Sequence, residues 1–346
     1  MQKENLKQLK GAIENNSLLP LYLFWGEEDY LRDFYVKKIR ETILPKGLEE
    51  LNHFRFGGKD INLDELSNAI DTVPAFCEKK LIEIHDFDFY KHGKRDELDQ
   101  ILGNLPDYSC LLFVFSDPNF KPDGRMKIHK HFKTTGLSVE FPKQEGSDLF
   151  PWIRRRFEAL EKEIDRPTIE FMAFYCGVKM TNLIGEIEKV AAFIKTKQVT
   201  KEDITQVCTP HLDAVIWNFT DALAEQNFQK ASGIMGDLFL MRENPILILA
   251  ATGKKLRQLY SACLLIEGGK GDALYLKKLW GLSHEYPAKL LLQSGKKLNF
   301  HWCKQAVLLA AESDLQMKST GRNGEEILVD FLLSLKNISL KGKGRA

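Results

Sequence analysis

The residues best placed to do chemistry lie in one stretch, LPLYLFWGEEDYLRDFYVKKIRETI, from Leu19 to Ile43. It reads as a strand, a glycine turn and a helix, the order in which nucleotide-binding domains hold a phosphate at a helix N-terminus. A P-loop needs several glycines to let backbone N–H groups wrap the phosphate. It also needs a lysine for the terminal phosphates and a Ser or Thr hydroxyl for magnesium. The turn here is GEEDYL, with a single glycine, and Glu27, Glu28 and Asp29 stand where a polyanion would sit. Their charge repels a triphosphate, and as helix-capping acids they already occupy the favourable field of the helix N-terminus. Lys37 and Lys38 lie roughly two turns further along the helix, too far to replace a P-loop lysine. The stretch therefore reads as a capped helix after a strand, with no nucleotide.

The other chemical constellations are weak. LIEIHDFDFY places Asp86 and Asp88 near a strand end; the pair could share a metal, but turn or helix-capping acids are the favoured reading. His129 and His131, in IHKHF, read as a solvated pair on a surface helix. No GxSxG, HExxH or Cys/His nucleophile arrangement occurs. Six cysteines (Cys77, Cys110, Cys176, Cys208, Cys263 and Cys303) are scattered without a CxxC pair, so buried free thiols in a reducing compartment are expected rather than zinc ligands. Neither a catalytic residue, a cofactor nor a metal site is expected. One segment resists this bland reading. In DTVPAFCEKKLIEI, the apolar residues Val73, Pro74, Ala75 and Phe76 fall in a connection between a helix and a strand that would normally be polar. They either cap the sheet core or form an exposed wedge for a hydrophobic pocket on a partner.

The elements that must position these residues follow from periodicity. Strands are expected at Leu21 to Trp25, Asn52 to Phe56, Lys80 to His85, Cys110 to Phe115 and Leu137 to Phe141. Helices alternate with them, including Asp64 to Ile70, Arg95 to Leu102 and Met126 to Lys133, which implies a largely parallel sheet covered on both faces. After Pro142 only helical spacing remains, over Asp148 to Lys162, Thr168 to Tyr175, Asn182 to Lys195 and a short helix opened by Thr200 with Asp203 in capping-box position. Beyond Thr209-Pro210 come about five longer helical stretches. The expected division is an α/β domain over 1–142, a small helical domain over 143–210, an all-helical bundle over 211–340 and a disordered tail over 341–346.

A chain of 346 residues, 44% hydrophobic and 28% charged, suits two or three globular domains. A net charge of +1 argues against coating nucleic acid by bulk electrostatics. From Glu243 onward, however, sixteen Lys and Arg face nine Asp and Glu, compatible with a local nucleic-acid contact. The polar N-terminal segment is unlike a secretory signal and no apolar run is long enough to span a membrane, which together point to the cytoplasm.

Taken in order, LPLYLFWGEEDYLRD, NHFRFGGKDINLDELSNAIDTVPAFCEKKLIEI, CLLFVFSD, FPWIRRRFEALEKEID, GVKMTNLIGEIEKVAAFI with VTKEDI, IWNFTDALAEQNFQKA, NPILILAATGKKLRQLY and DLQMKSTGR resemble the delta subunits of bacterial DNA polymerase III over nearly the whole chain. That resemblance implies a degenerate AAA+ module of two domains, whose first has lost nucleotide binding, followed by a helical collar that joins five clamp-loader subunits in a ring. It implies a non-catalytic part in DNA replication within a DNA polymerase (nucleotidyltransferase) holoenzyme. Delta subunits bind the sliding clamp, beta, through a hydrophobic element and hold its interface open, while motor subunits hydrolyse ATP; delta-prime and primed DNA are the other partners. The matching element is TVPAF, which places clamp contact on Val73, Pro74, Ala75 and Phe76. Relatives often carry two aromatic residues there; with Ala75 in one position, Phe76 becomes the main anchor. Thr181 stands where many relatives carry a basic residue, consistent with a silent nucleotide site. The four-cysteine zinc module typical of motor and delta-prime subunits is missing from this sequence, which favours delta. Lys318 and Arg322, in KSTGR, are the candidate DNA contacts. Two other functions are weighed against this one: an ATPase with an unusual phosphate site, and a stand-alone DNA-binding protein using the basic C-terminal region.

Overall fold

The computed structural model describes residues 2–58, 61–91, 93–269, 271–282 and 284–343. The chain folds as two compact units, Met1–Gln144 and Glu145–Ala346. In the first, α1 (Gln2–Glu14) leads into β1 (Leu21–Trp25), followed by α2 (Asp29–Ile43), α3 (Glu49–Asn52), β2 (His53–Gly57), α4 (Leu63–Asp71) and β3 (Lys80–His85). Then come α5 (Arg95–Gly103), β4 (Ser109–Val114), a 3-10 turn over Lys127–Lys130, α6 (His131–Thr134) and β5 (Gly136–Glu140). The strands form one parallel sheet in the order β2-β3-β4-β1-β5. Hence β1, first in sequence, lies inside the sheet between β4 and β5, and LYLFW carries no charge on either face because helices cover both.

Period-two alternation sorts the strand residues into two cores. On one face Leu21, Leu23, Ile82, Ile84, Leu111 and Phe113 pack with Leu66, Ile70, Leu98 and Phe132 of the helices. On the other, Tyr22, Phe24, Leu81, Leu112 and Val139 pack with Leu9, Tyr35, Val36 and Ile39 of α1 and α2. Glu83 interrupts this second face. It is fully buried, yet Arg40 of α2, His53 of β2 and His85 of β3 place nitrogens 2.7, 2.9 and 3.0 Å from its carboxylate. Burial alone would push this carboxyl up, and the three hydrogen-bonding partners overturn that and hold it well below the usual carboxylate range.

The second unit is all helical. Its first four helices are α7 (Gly146–Glu158), α8 (Arg166–Tyr175), α9 (Met180–Phe193) and α10 (Lys201–Val207). Thr200 and Asp203 form the reciprocal capping box at the start of α10. Next are α11 (Leu212–Ala224), α12 (Phe228–Leu240), α13 (Pro245–Glu267), α14 (Ala273–Trp280), α15 (Glu285–Gly295), α16 (Phe300–Ser319) and α17 (Gly324–Lys343). Leu249, Leu256, Leu259 and Cys263 of α13 share one core with Trp217, Leu223, Leu291, Ala306 and Phe331 of the surrounding helices. Among the described residues seven helices thus follow residue 210 where about five stretches are expected. One unforeseen break falls at Gln226, which takes a left-handed φ of 56° without being glycine, and Asn227 then caps α12. Residues 341–343 continue α17 where a disordered tail is expected, while 344–346 lie outside the described residues. Among the described residues no helix is long and apolar enough to cross a membrane.

Candidate functional site

The carboxyl ends of parallel strands are where such sheets bind ligands, and at the end of β1 this corner is closed by the protein itself. Gly26 has a φ of 125°, and a Cβ there would collide with the backbone of Phe141 as it leaves β5. The Glu28 N–H donates to the Phe141 carbonyl at 2.9 Å, which draws the turn onto the sheet. Glu28, the N-cap residue of α2, is only 6% exposed, and burial, reinforced by the charge of Asp29, pushes its carboxyl up to about 7. Asp29 pairs at 2.9 Å with Arg32, a buried guanidinium that also donates to the Phe115 carbonyl. The corner is filled by an acid and an ion pair. A phosphate there would meet negative charge at the place where a P-loop offers bare N–H groups. Lys37 and Lys38 both face Glu41, at 3.8 and 2.8 Å, on α2.

The other constellations resolve into local structure. Asp86 accepts from the Ser116 N–H at 2.6 Å and Asp88 pairs with Lys91 at 2.7 Å, so the two carboxylates fasten separate turns. The two histidines differ from the expected solvated pair. His129 is buried with Nδ1 3.1 Å from the Tyr90 hydroxyl, and His131 lies 3.0 Å from Asp99. Their segment is a 3-10 turn plus one helical turn folded under the sheet, where side chains two apart diverge. The cysteines are free thiols, but the helical unit gathers some of them: Cys263 and Cys303 sulfurs are 3.4 Å apart, and Cys176, Glu186 and Cys208 converge within 4.8 Å. Their separations in sequence gave no sign of this.

The connection from α4 to β3 carries the two most exposed large apolar side chains among the described residues of the first unit. Phe76 is 88% exposed and Val73 71%, while Pro74 and Ala75 are half-buried. Of the two readings open to this segment, capping the core and projecting as a wedge, the geometry selects projection for Val73 and Phe76. The loop is nonetheless firmly rooted. The buried Asn52 side chain accepts from the Ala75 N–H at 2.7 Å and donates to the Ala75 carbonyl at 2.9 Å and to the Leu48 carbonyl at 3.2 Å, mimicking a neighbouring strand. The Lys80 ammonium donates to the Thr72 carbonyl and lies 5.2 Å from the Tyr108 ring centroid. Tyr108 and Ser109 hydroxyls donate to the Asp71 and Ile70 carbonyls at 3.1 and 3.0 Å, and Lys79 donates to the Leu18 carbonyl at 2.7 Å. The loop is thereby tied to the segments that enter β1, β3 and β4, at the amino ends of these strands, whereas the closed corner lies at the carboxyl end of β1. Phe76 itself takes a left-handed φ of 58°, a conformation costing an L residue about 1 kcal/mol that persists only where the surroundings dictate it.

Lys318 and Arg322 are exposed around the C-terminal end of α16, each 2.7 Å from an acid, Asp314 and Asp330 respectively. Thr181 is exposed in the first turn of α9.

Residues 22–141 match the family model described as DNA polymerase III, delta subunit, and residues 213–335 match the one for the C-terminal domain of that subunit. DNA polymerase III subunit delta of Bacillus subtilis (strain 168) is 21% identical over 332 residues, spanning 94% of this chain and 95% of the relative. The solved Bacillus subtilis DNA clamp loader delta protein, YqeN, has a similar fold, with a TM-score of 0.58 at 18% identity over 95% of this chain and 99% of that one. A weaker likeness, with a TM-score of 0.40 at 12% identity, covers 63% of this chain and 75% of a Thermotoga maritima RuvB mutant. With its α/β unit and most of its helical unit matched in register to the two halves of one family, the chain belongs to the DNA polymerase III delta subunit family.

Proposed function

We propose that this protein is the clamp-opening subunit of a bacterial clamp loader, working in the cytoplasm without catalysis of its own. Val73, Pro74, Ala75 and Phe76 dock on the DNA sliding clamp and hold its interface open, with Phe76 as anchor and Val73 beside it. ATP is hydrolysed by the partner motor subunits. In this reading 143–210 is the lid and 211–340 the collar that meets those subunits and delta-prime around primed DNA; Lys318 and Arg322 are the weaker DNA candidates, since each already has an acidic partner.

The observation that carries the proposal is a large aromatic residue 88% exposed on a loop whose backbone is fixed by hydrogen bonds on both sides. An apolar side chain held ready in this way loses little conformational entropy on binding. Against the alternative of ATP binding stands Glu28, buried where the phosphate would have to go. Mixing the purified chain with the sliding clamp should give a complex that co-elutes in size-exclusion chromatography. Replacing Phe76 by Ala is expected to remove at least about 2 kcal/mol, roughly a 30-fold loss of affinity, and Phe76→Glu to abolish the complex. Both variants should keep the wild-type unfolding temperature, because the side chain is in solvent. An unchanged complex with either variant would refute the assignment.

A further inference from the structure

Three side chains of the helical unit that have no part in the proposed clamp docking carry the atoms of a metal site. Cys176 caps the C-terminus of α8, Cys208 caps that of α10, and Glu186 stands in the second turn of α9. Their two sulfurs and a carboxylate oxygen all lie within 4.8 Å of one another, and no other three potential ligands converge in this way among the described residues. Both cysteines are 6% exposed and the Glu186 side chain 15%, so the cluster sits just beneath the surface, where an ion can enter.

Hydrogen bonds set this convergence without help from the thiols. The His211 N–H donates to the Tyr175 carbonyl at 2.7 Å, which lays the segment after α10 against the end of α8. The Thr209 N–H donates to Glu186 Oε2 at 3.3 Å, and the Lys189 ammonium, one turn along α9, holds the same oxygen at 2.7 Å. Glu186 Oε1 carries no hydrogen bond. A carboxylate oriented through one oxygen, with the other open, is how metal-binding carboxylates are positioned. The hydrogen bond to Cys208, together with burial, pushes the Cys176 thiol up, so near pH 7 the metal-free thiol keeps its proton until a metal displaces it.

We propose that Cys176, Cys208 and Glu186 bind a zinc ion, with water completing a tetrahedron, and that the ion clips α8, α9 and α10 together. Thiolates select a borderline or soft cation against magnesium and calcium, which take oxygen ligands. Bonds of about 2.3 Å to sulfur and about 2.1 Å to oxygen set tetrahedral ligand atoms about 3.6–3.8 Å apart, so atoms already within 4.8 Å need to close by roughly 1 Å at most. Two thiolates and a carboxylate supply three negative charges, which the zinc ion and the Lys189 ammonium balance. Three protein ligands and a water match the zinc sites that keep an open position. His211, three residues after Cys208, is engaged elsewhere, its Nδ1 accepting from the Asp213 N–H at 3.3 Å.

The test titrates zinc into the full-length, metal-free protein, kept reduced, in competition with a chromophoric chelator. Binding once per chain is expected, with thiol protons released to the buffer and a rise in unfolding temperature. Cys208→Ser should weaken binding by roughly 100-fold or more and Glu186→Gln by roughly tenfold or more, at least the losses seen when a group that only orients a ligand is removed. Cys303→Ala, which breaks up the sulfur pair of Cys263 and Cys303, should leave the zinc affinity as it was. Cobalt(II) bound to the wild-type protein should show sulfur-to-metal charge-transfer absorption and the visible bands of a tetrahedral site, a readout that survives if Cys208→Ser folds poorly. No zinc binding, an affinity indifferent to both Cys208→Ser and Glu186→Gln, a cobalt spectrum without sulfur bands, or binding lost in a folded Cys303→Ala variant would each overturn the proposal.

Discussion

Glu28 and Glu83 are both buried carboxylates of the first unit, and their surroundings drive them in opposite directions. Glu28 lies under Phe141 with the charge of Asp29 beside it, and its carboxyl is raised from 4.5 to about 7. An acid raised in this way binds its proton more tightly when folded. The folded state therefore loses stability as pH climbs from about 4.5 to 7, and above 7 the full penalty applies, up to about 3 kcal/mol. Glu28→Gln should match the wild type in unfolding temperature near pH 4.5 and exceed it at pH 8; a variant less stable at pH 8 would mean that the ionised carboxylate is well solvated. Glu83 is the reverse case. Its folded-state pKa is depressed, so its contribution is present above the ordinary carboxylate range and is lost as pH falls below it. Glu83→Gln leaves Arg40, His53 and His85 without their charged partner at the seam of α2, β2 and β3, and should cost about 3 kcal/mol at pH 7. Urea denaturation at pH 7 and pH 3 checks this, since the gap between variant and wild type must narrow in acid.

At the scale of elements, the exposed loop proposed to dock on the clamp is held by Asn52, a residue that ends a one-turn helix and precedes an edge strand. Asn52→Ala removes three hydrogen bonds, two of them to Ala75, and should destabilise the unit by about 1–3 kcal/mol. It should also weaken clamp binding although no clamp-facing side chain has changed, because an unpinned Phe76 must be ordered on contact. Amide exchange at Ala75, read beside clamp affinity, tests the coupling; faster exchange with unaltered affinity would show that the root does not set the wedge. Periodicity in the sequence locates all five strands within a residue or so and the apolar run Val73 to Phe76 by its position, because a parallel sheet buried on both faces leaves long apolar runs. It does not reveal the Asn52 clamp, whose partner Ala75 lies 23 residues away, or the break at Gln226, made by a residue type that seldom adopts a left-handed φ. His129 is misplaced for a related reason: a 3-10 turn turns a polar-looking segment inward, and burial there depends on Tyr90, which local spacing cannot supply. Glu83 reads as one polar residue in an apolar strand, and only the packing of α2 onto β3 explains it.

The chain folds as two units, with two cores in the first and one in the second among the described residues. In the first, the carboxyl end of β1, where such a sheet would ordinarily hold a nucleotide, is shut, and the apolar loop lies at the amino ends of the strands. Every hydrogen bond that roots this loop comes from residues between Leu18 and Ser109. A fragment ending at Gln144 therefore contains the whole loop proposed to dock, with its hydrogen-bonding partners and both cores beneath it. Expressed alone, residues 1–144 should unfold cooperatively and bind the sliding clamp within about threefold of the full chain, a difference of roughly 0.7 kcal/mol. The same fragment with Phe76→Ala should lose that binding, which shows that the fragment uses the same contact. The complementary fragment, 145–346, should bind no clamp but should retain whatever affinity the full chain has for the other loader subunits. If 1–144 folds, as far-UV circular dichroism and a cooperative melt would show, and still fails to bind the clamp, then residues of the helical unit take part in docking and the loop is only half of the site.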